Sequence, residues 1–156
     1  MKSNLLIAIL LCILSLTACR PNSKYEHFYR TDAKGWNKDS VLTFPVHFDE
    51  DLNASYDLRL NIRNKNSYAY SNLWLFINIQ SPNGEQLIDT VEFTLAEPSG
   101  RWLGSGLGDL FDNELRYKEN VMFPDSGIYR ISIQQGMRED VLEGIDAVGL
   151  SIVVSD

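Results

Sequence analysis

The chain has 156 residues, with 14 Lys and Arg against 21 Asp and Glu, which gives a formal net charge of −7. Its hydrophobic fraction of 44% is typical of a folded globular chain, and its acidic balance argues against binding to the phosphate backbone of nucleic acids. With two His and two Cys, the sequence offers neither a dense metal cluster nor a disulfide framework. We therefore expect no metal, no cofactor and no nucleic-acid partner.

The first 18 residues have the features of a secretory signal. Lys2 precedes an apolar run over residues 5–16, which is too short for a spanning helix of about 20 residues but suits the apolar region of a signal peptide. The run ends in Leu16-Thr17-Ala18-Cys19, which resembles the bacterial lipobox, where the cysteine is acylated after cleavage. The sequence thus predicts lipidation of Cys19, by groups such as palmitate, and anchoring to a membrane. An ordinary secreted protein is the alternative.

Residues 19–35 are predicted to hold the lipidated cysteine and a polar tether, and residues 36–156 a single folded domain. Arg20 follows the cysteine where aspartate would favour retention at the inner membrane. In lipoprotein sorting this favours the outer membrane, and we expect the domain to face the periplasm.

The folded part begins with two segments that alternate apolar and polar residues, as strands with one buried face do. The first covers residues 42–48 and contains Pro45, which indicates an edge strand or a bulge. The second, residues 56–63, has the clearest period of two in the chain. Residues 73–79 are apolar on both faces at first and predict a central strand covered on its second face by a loop or a partner.

A hairpin follows, because Asn83-Gly84 is a strong turn signal before the returning segment 87–95. The alternation then stops over residues 96–113, a glycine-rich stretch that predicts a long loop packed back on the body. Strand patterns return later in the chain, at residues 114–117, 121–123, 125–133 and 149–154. Residues 137–144 could hold one helical turn.

These segments predict an all-β fold, an antiparallel β-sandwich of seven or eight strands. Asp125, Gly127 and Tyr129 resemble the tyrosine corner of immunoglobulin-like domains, so that topology is the leading expectation. A jelly roll is the alternative.

The Gly104-Ser105-Gly106-Leu107-Gly108 run is not a phosphate-binding loop. A dinucleotide fingerprint would need glycine at Asp109, and a P-loop would need a lysine after its last glycine. A serine-hydrolase elbow would need glycine at Leu103.

Metal ligands are also scarce. His47 alternates with core residues and is predicted to face solvent, and His27 lies among aromatic residues and is expected to pack against them. Asp49-Glu50-Asp51 lacks the spacing of a calcium loop and is best explained as a solvated turn.

Three tryptophans could form a surface for sugars or proteins. For Trp74, on an apolar strand, core packing is the favoured interpretation. Trp102, beside Arg101 in the glycine-rich loop, fits the core and a binding surface equally well. Trp36 could serve in either place.

Several motifs together resemble the GldH family of gliding-motility lipoproteins. The most specific are the Pro98-x-Gly100-Arg101-Trp102-Leu103-Gly104-x-Gly106-x-Gly108-Asp109 segment and the closing segment that runs from Gln135-x-Met137-Arg138 through Leu142-x-Gly144 to Val148-Gly149. The remaining matches are Trp36 with Lys38-Asp39, Leu60–Asn64, Tyr68, Tyr70–Leu73, Pro82-x-Gly84, Asp89–Glu92, Tyr117-Lys118 and Phe123-Pro124 through Tyr129.

The resemblance implies a component of the envelope machinery for gliding, which in that family accompanies type IX secretion, and it implies no enzymatic activity and no catalytic residue. We expect a lipid-anchored protein that docks other envelope motility or secretion proteins through Arg101, Trp102, Asp109 and Arg138. A glycan-binding lipoprotein with sugars stacked on tryptophan is the alternative, and a hydrolase using surface carboxylates is a third.

Overall fold

The computed structural model describes residues 23–49 and 53–155. The predicted signal, Cys19 and residues 50 and 51 of the acidic turn lie outside the described residues. Within these two ranges no helix has the length and hydropathy that crossing a membrane requires.

The regular structure of the described residues consists of strands alone, which confirms the all-β prediction. They are β1 (Ser23–Arg30), β2 (Trp36–Asn37), β3 (Leu42–Phe48), β4 (Ser55–Lys65), β5 (Asn72–Gln80), β6 (Gln86–Thr94), β7 (Ser105–Leu107), β8 (Leu110–Met122), β9 (Gly127–Gln135), β10 (Val141–Leu142) and β11 (Ile145–Val154).

Two antiparallel sheets pack face to face as a β-sandwich. One has the order β1-β11-β4-β8-β7, the other β3-β9-β5-β6, and β2 pairs with β10 outside both. Among the described strands, only the β5–β6 hairpin joins two neighbouring long strands of one sheet. The other connections between long strands cross from sheet to sheet, which is the strand order of a jelly roll rather than of an immunoglobulin domain. The tyrosine corner, which suggested the latter, occurs here in a jelly roll.

The core lies between the sheets and follows the period of two. On β4, Tyr56, Leu58, Leu60 and Ile62 are each at most 2% exposed, while Arg59 and Arg63 between them reach the outer face. The inward residues of β5, β9 and β11 complete the same apolar cluster.

Pro45 lies on an edge strand as expected, since β3 ends its sheet. Other boundaries differ from the sequence analysis. Residues 23–30 form strand β1, so the sandwich includes about half of the predicted tether segment. Residues 110–122 form one strand, where the sequence pattern indicated two short ones. The pairing with β4 is irregular near Asn120, which has a φ of 54°, and the irregularity interrupts the alternation of apolar and polar residues. Residues 137–144 contain the short strand β10 instead of a helical turn.

Candidate functional site: the loop end of the sandwich

Four connections meet at one end of the sandwich, which we call the loop end. They comprise residues 31–41, 66–71, 95–109 and 136–144, and they contain β2, β7 and β10. The two segments that carry the family resemblance most specifically lie here for most of their length, although residues 110–134 separate them in sequence. Strand β1 starts at the opposite end, where Ser23 pairs with Val153.

The connections are tied to one another. Strand β2 pairs with β10, and the Lys38 N–H donates to the Asp140 carbonyl at 2.8 Å. The Lys38 ammonium also lies 2.6 Å from the Asp140 carboxylate. The Lys65 N–H donates to the Gly144 carbonyl at 2.8 Å. The loop end is therefore held by contacts between connections and not by each one alone.

Trp102 is half-buried and links two connections. Its indole N–H donates to Asn66 Oδ1 at 3.0 Å, and its ring lies 6.3 Å from Tyr68 and 5.9 Å from Phe111, centroid to centroid. The Asn66 N–H in turn donates to the Asp109 carbonyl at 2.9 Å. Trp102 thus holds the glycine-rich segment against the body, and part of its surface stays accessible.

The glycines of this segment allow β7 to lie close against β8. A Cβ on Gly104 would stand 2.8 Å from the Asp112 carbonyl oxygen, and one on Gly106 would stand 2.4 Å from that of Leu110. Gly108, with φ of +71°, turns the chain between β7 and β8. This hairpin projects Leu107, which is 95% exposed, together with the exposed Asp109.

Arg101 is exposed and forms an ion pair with Glu97, whose carboxylate it contacts through both Nε and Nη2. The hydrogen bond from the guanidinium holds the pKa of Glu97 below its usual range. Arg101 therefore presents a neutralised pair rather than an isolated positive charge.

Arg138 lies in a groove of about 450 Å³ whose lining includes Tyr70, Trp74, Met137 and Glu139. The Tyr70 hydroxyl donates to the Glu139 carboxylate, and this bond raises the pKa of Tyr70. Arg138 is exposed and has no ion pair among residues 23–49 and 53–155. It is a positive charge at the surface that a partner can use.

A buried amide holds the Arg138 loop. The Gln135 side chain is 2% exposed. Its oxygen accepts the Met137 N–H at 2.8 Å, and its nitrogen donates to the Glu139 carbonyl at 2.8 Å. The two bonds fix the residues on either side of Arg138.

The groove continues onto the outer face of the four-stranded sheet. Trp74, Phe76 and Ile88 are 38%, 45% and 68% exposed there. Core packing for Trp74 was thus the wrong expectation: the inward positions of β5 are Leu73, Leu75, Ile77 and Ile79, and Trp74 alternates with them. The outer face of the five-stranded sheet is different, since it carries ion pairs such as Arg63 with Asp112 at 2.7 Å.

The remaining aromatic and imidazole predictions divide as follows. Trp36 is 2% exposed and belongs to the core, where its indole N–H donates to the Ser40 carbonyl at 2.9 Å. His47 faces solvent as predicted, with its side chain 61% exposed. His27 is exposed, but it does contact an aromatic neighbour, since its ring centroid lies 4.7 Å from that of Tyr29. The described residues contain no group of three or more His, Cys, Asp or Glu placed to hold a metal ion.

The loop end thus brings together Arg101, Trp102, Asp109 and Arg138. The sequence analysis missed Leu107, Tyr70 and Gln135 as contributors. An apolar residue between two glycines was a detectable signal for Leu107. The buried Gln135 had no such signal, because alternation alone assigns a core position to an apolar residue.

A family model described as GldH lipoprotein matches residues 23–152. The chain is 42% identical over 151 residues to a protein of Christiangramia forsetii named "Gliding motility lipoprotein GldH homolog", covering 92% of this chain and 91% of that one. It is 35% identical over 155 residues to "Gliding motility lipoprotein GldH" of Flavobacterium johnsoniae, covering 95% of each. Among solved structures, VP2 of infectious bursal disease virus matches with a TM-score of 0.35 and 13% identity over 87% of this chain and 32% of that one, which is too weak a likeness to support an argument.

Proposed function

This chain belongs to the GldH lipoprotein family, and we propose that it works as a non-enzymatic docking component of the gliding-motility machinery, in association with type IX secretion. Its relatives are gliding-motility lipoproteins, which are anchored in the cell envelope, and the family is not one of known enzymes. The observation that carries the proposal is the loop end. Its connections are tied together, and it still presents a Leu107 that is 95% exposed and an Arg138 that has no ion pair with any residue the structure describes.

A surface that is already rigid suits docking, because little conformational entropy is lost when a partner binds. Arginine, tryptophan and tyrosine supply most of the energy at protein interfaces, and a leucine that is exposed in the free chain gains hydrophobic free energy when a partner buries it. In this proposal Arg138 and Leu107 contact the partner, with Asp109 and the Arg101–Glu97 pair beside them. Trp102 contributes its accessible edge and keeps the glycine-rich segment in place.

The anchor in this proposal is an acylated Cys19, with palmitate among its acyl chains, in the outer membrane, and the domain faces the periplasm. The four residues from Cys19 to Ser23 span at most about 14 Å. Ser23 starts β1 at the end opposite the loop end, and an eight-residue strand is about 26 Å long. The docking residues therefore lie at the end of the sandwich opposite the anchor.

The docking role is tested with Arg138→Glu and Leu107→Asp in the full-length protein, by chemical crosslinking in envelopes, affinity purification and mass spectrometry. The matched controls are Arg130→Glu and Met122→Asp, at exposed positions near the opposite end. We expect the two loop-end variants to lose the same envelope proteins, with the controls retaining them. Equal recovery from all four variants would remove the proposal.

Labelling with a palmitate analogue tests the anchor separately. The wild-type protein should take up label and fractionate with the outer membrane, and Cys19→Ser should do neither. A labelled Cys19→Ser protein would contradict acylation at this residue.

Glycan binding remains a second candidate because Trp74 and Phe76 are exposed on a sheet face. Flat aromatic surfaces of this kind can stack on sugar rings. Titration with envelope polysaccharides should then change tryptophan emission in the wild type but not in Trp74→Phe. An unchanged emission in both proteins excludes it.

A further inference from the structure

The free edge of strand β6 is the best-formed pairing edge of the described residues. β6 ends the four-stranded sheet and pairs with β5 over all nine residues with no shift in register and no proline. An open edge of this kind is a template for another strand, and proteins normally protect it.

The other edges are protected. In β3, Pro45 has no N–H, and the Tyr29 hydroxyl donates to the Thr43 carbonyl at 2.9 Å. Strand β1 carries a register shift between Ser23 and Tyr25. Beside β8, the short β7 covers the first residues, and the pairing of β8 with β4 is irregular further along.

The hydrogen bonds to β5 show which groups of β6 point outward. The Ser81 N–H donates to the Glu85 carbonyl, and the Leu95 N–H to the Ser71 carbonyl. Hydrogen-bonded pairs alternate along an antiparallel ladder, so residues 87, 89, 91 and 93 bond to β5. The N–H and C=O groups of Ile88, Thr90 and Glu92 therefore point away from the sheet, and none of them has a partner within the described ranges.

We propose that β6 pairs antiparallel with β6 of a second copy, about a two-fold axis through Thr90. This register is the one that aligns all nine residues and joins outward groups only to outward groups. It places Ile88 opposite Glu92 of the partner and Leu87 opposite Phe93 of the partner. Leu87 and Ile88 are 47% and 68% exposed in the single chain, and the pairing covers them.

Charge also disfavours one of the two neighbouring registers. A shift of the axis to residue 89 would place Asp89 directly against the Asp89 carboxylate of the second copy, which is destabilising. With the axis at Thr90, Asp89 faces Val91 of the partner. Its charge is already compensated within the chain, since Lys118 Nζ lies 2.8 Å and the Tyr117 hydroxyl 2.7 Å from its carboxylate.

The dimer is closed, because each copy uses its β6 edge once. Rotation about an axis normal to the sheets leaves both five-stranded sheets on one side, and therefore both copies of β1. The two Ser23 ends lie at opposite ends of the dimer but on this one side, so the two proposed lipid anchors can enter a membrane that lies parallel to the sheets; this check rests on the proposed function, but the strand pairing does not. The exposed Trp74 and Phe76 of both copies would form one continuous face on the other side.

Cysteine crosslinking in envelopes containing the full chain tests the pairing. Opposed residues of a hydrogen-bonded pair have Cα atoms about 5.5 Å apart, a distance that a disulfide spans. Thr90→Cys should therefore form a disulfide-linked dimer on mild oxidation. Gln86→Cys should not, because the two copies of residue 86 lie about 27 Å apart at about 3.4 Å per residue. Gln86→Cys combined with Thr94→Cys should restore the dimer.

If Thr90→Cys and Gln86→Cys formed dimers equally, the disulfides would reflect random collision and the proposal would be wrong. It would also be wrong if neither Thr90→Cys nor the double variant formed dimers. Thr90→Pro supplies a second measurement, since it removes an outward N–H and leaves the bonds to β5 in place. In an otherwise unchanged chain, Thr90→Pro should abolish the chemical crosslinking between two copies that the wild-type protein shows, and it should not lower the melting temperature substantially. A disulfide-linked dimer of the wild-type protein would instead show that Cys19 is not acylated, which counts against the lipid anchor. In that case Thr90→Cys, Gln86→Cys and the double variant are compared again in a Cys19→Ser background, and that comparison decides the strand pairing.

Discussion

The Tyr129 hydroxyl oxygen accepts a hydrogen bond from the Asp125 N–H at 3.2 Å. The bond closes the turn between β8 and β9, and the ring packs at 4.9 Å from that of Phe123. Tyr129→Phe removes the bond and keeps the ring. We expect a loss of about 1 kcal/mol in the free energy of unfolding, measured by urea denaturation.

Tyr129→Leu is the companion variant. It loses the ring contacts as well, so its cost should be clearly larger than that of Tyr129→Phe. If the phenylalanine variant were as stable as the wild type, the turn would not depend on this bond.

Asp89 joins the two sheets near an edge, and its pKa lies below the usual range, first because Lys118 hydrogen-bonds to it and then because Tyr117 does. A lowered folded-state pKa means that this stabilisation is complete above the unfolded value of about 4 and is lost as the pH falls through the folded value. Urea midpoints measured from pH 7 down to pH 2.5 should therefore fall less steeply with acid in Asp89→Asn. Glu143→Gln, at an exposed carboxylate, controls for the change in net charge; parallel curves for wild type and Asp89→Asn would contradict the link.

Gly144 and Gly84 offer a matched pair of positions with similar backbone angles. Their φ values are +84° and +94°, but a Cβ on Gly144 would stand 2.6 Å from the Cα of Tyr68, whereas a Cβ on Gly84 meets nothing within 4 Å. Both alanine variants carry the backbone strain, of order 1 kcal/mol, and Gly144→Ala also forces the connections of the loop end apart. Thermal unfolding should show a markedly larger loss for Gly144→Ala. Equal losses would mean that the close approach is relieved at no cost.

Trp74 is the tryptophan with the best access to solvent, since it is 38% exposed and Trp36 only 2%. Acrylamide should therefore quench a large part of the emission of the wild-type protein. Trp74→Phe should remove most of the quenchable part, and Trp36→Phe should leave that part unchanged in a protein that stays folded. If Trp36→Phe removed the quenchable part instead, Trp74 would not be exposed on the outer face of β5.

Local signals were sufficient to predict three features, because each depends on neighbours in sequence. Alternation predicted the β4 strand, Pro45 the edge position of β3, and Asn83-Gly84 the β5–β6 hairpin. Such signals could not decide between an immunoglobulin-like order and a jelly roll. That order is set by which connections cross between the sheets. Tyr129 does not distinguish the two, since the tyrosine corner occurs in this jelly roll as it does in immunoglobulin-like domains. The sequence also could not show which face of β5 carries Trp74, because this strand is apolar on both faces at its start and alternation does not identify the face that packs in the core.

For the candidate site, the structure shows where the chosen residues lie, and their role in docking stays a prediction. Arg101, Trp102, Asp109 and Arg138 were chosen from two segments far apart in sequence, and the structure brings both to the loop end. The links between the segments could not be predicted, since Asn66 and Tyr70 act through long-range hydrogen bonds that leave no periodic signal.

Gln135 positions the Arg138 loop without being accessible to a partner. Gln135→Leu keeps the volume of the side chain but removes both bonds to the loop, to the Met137 N–H and to the Glu139 carbonyl. We expect a loss of about 1 to 3 kcal/mol in stability, because partly buried main-chain groups lose their partners. We also expect weaker recovery of the envelope proteins that Arg138→Glu fails to retain, measured at a temperature where the variant is folded. Gln134→Leu, whose amide instead bonds to the Lys38 carbonyl, should retain those proteins better; if Gln135→Leu retained them fully, a fixed Arg138 loop would be unnecessary for docking.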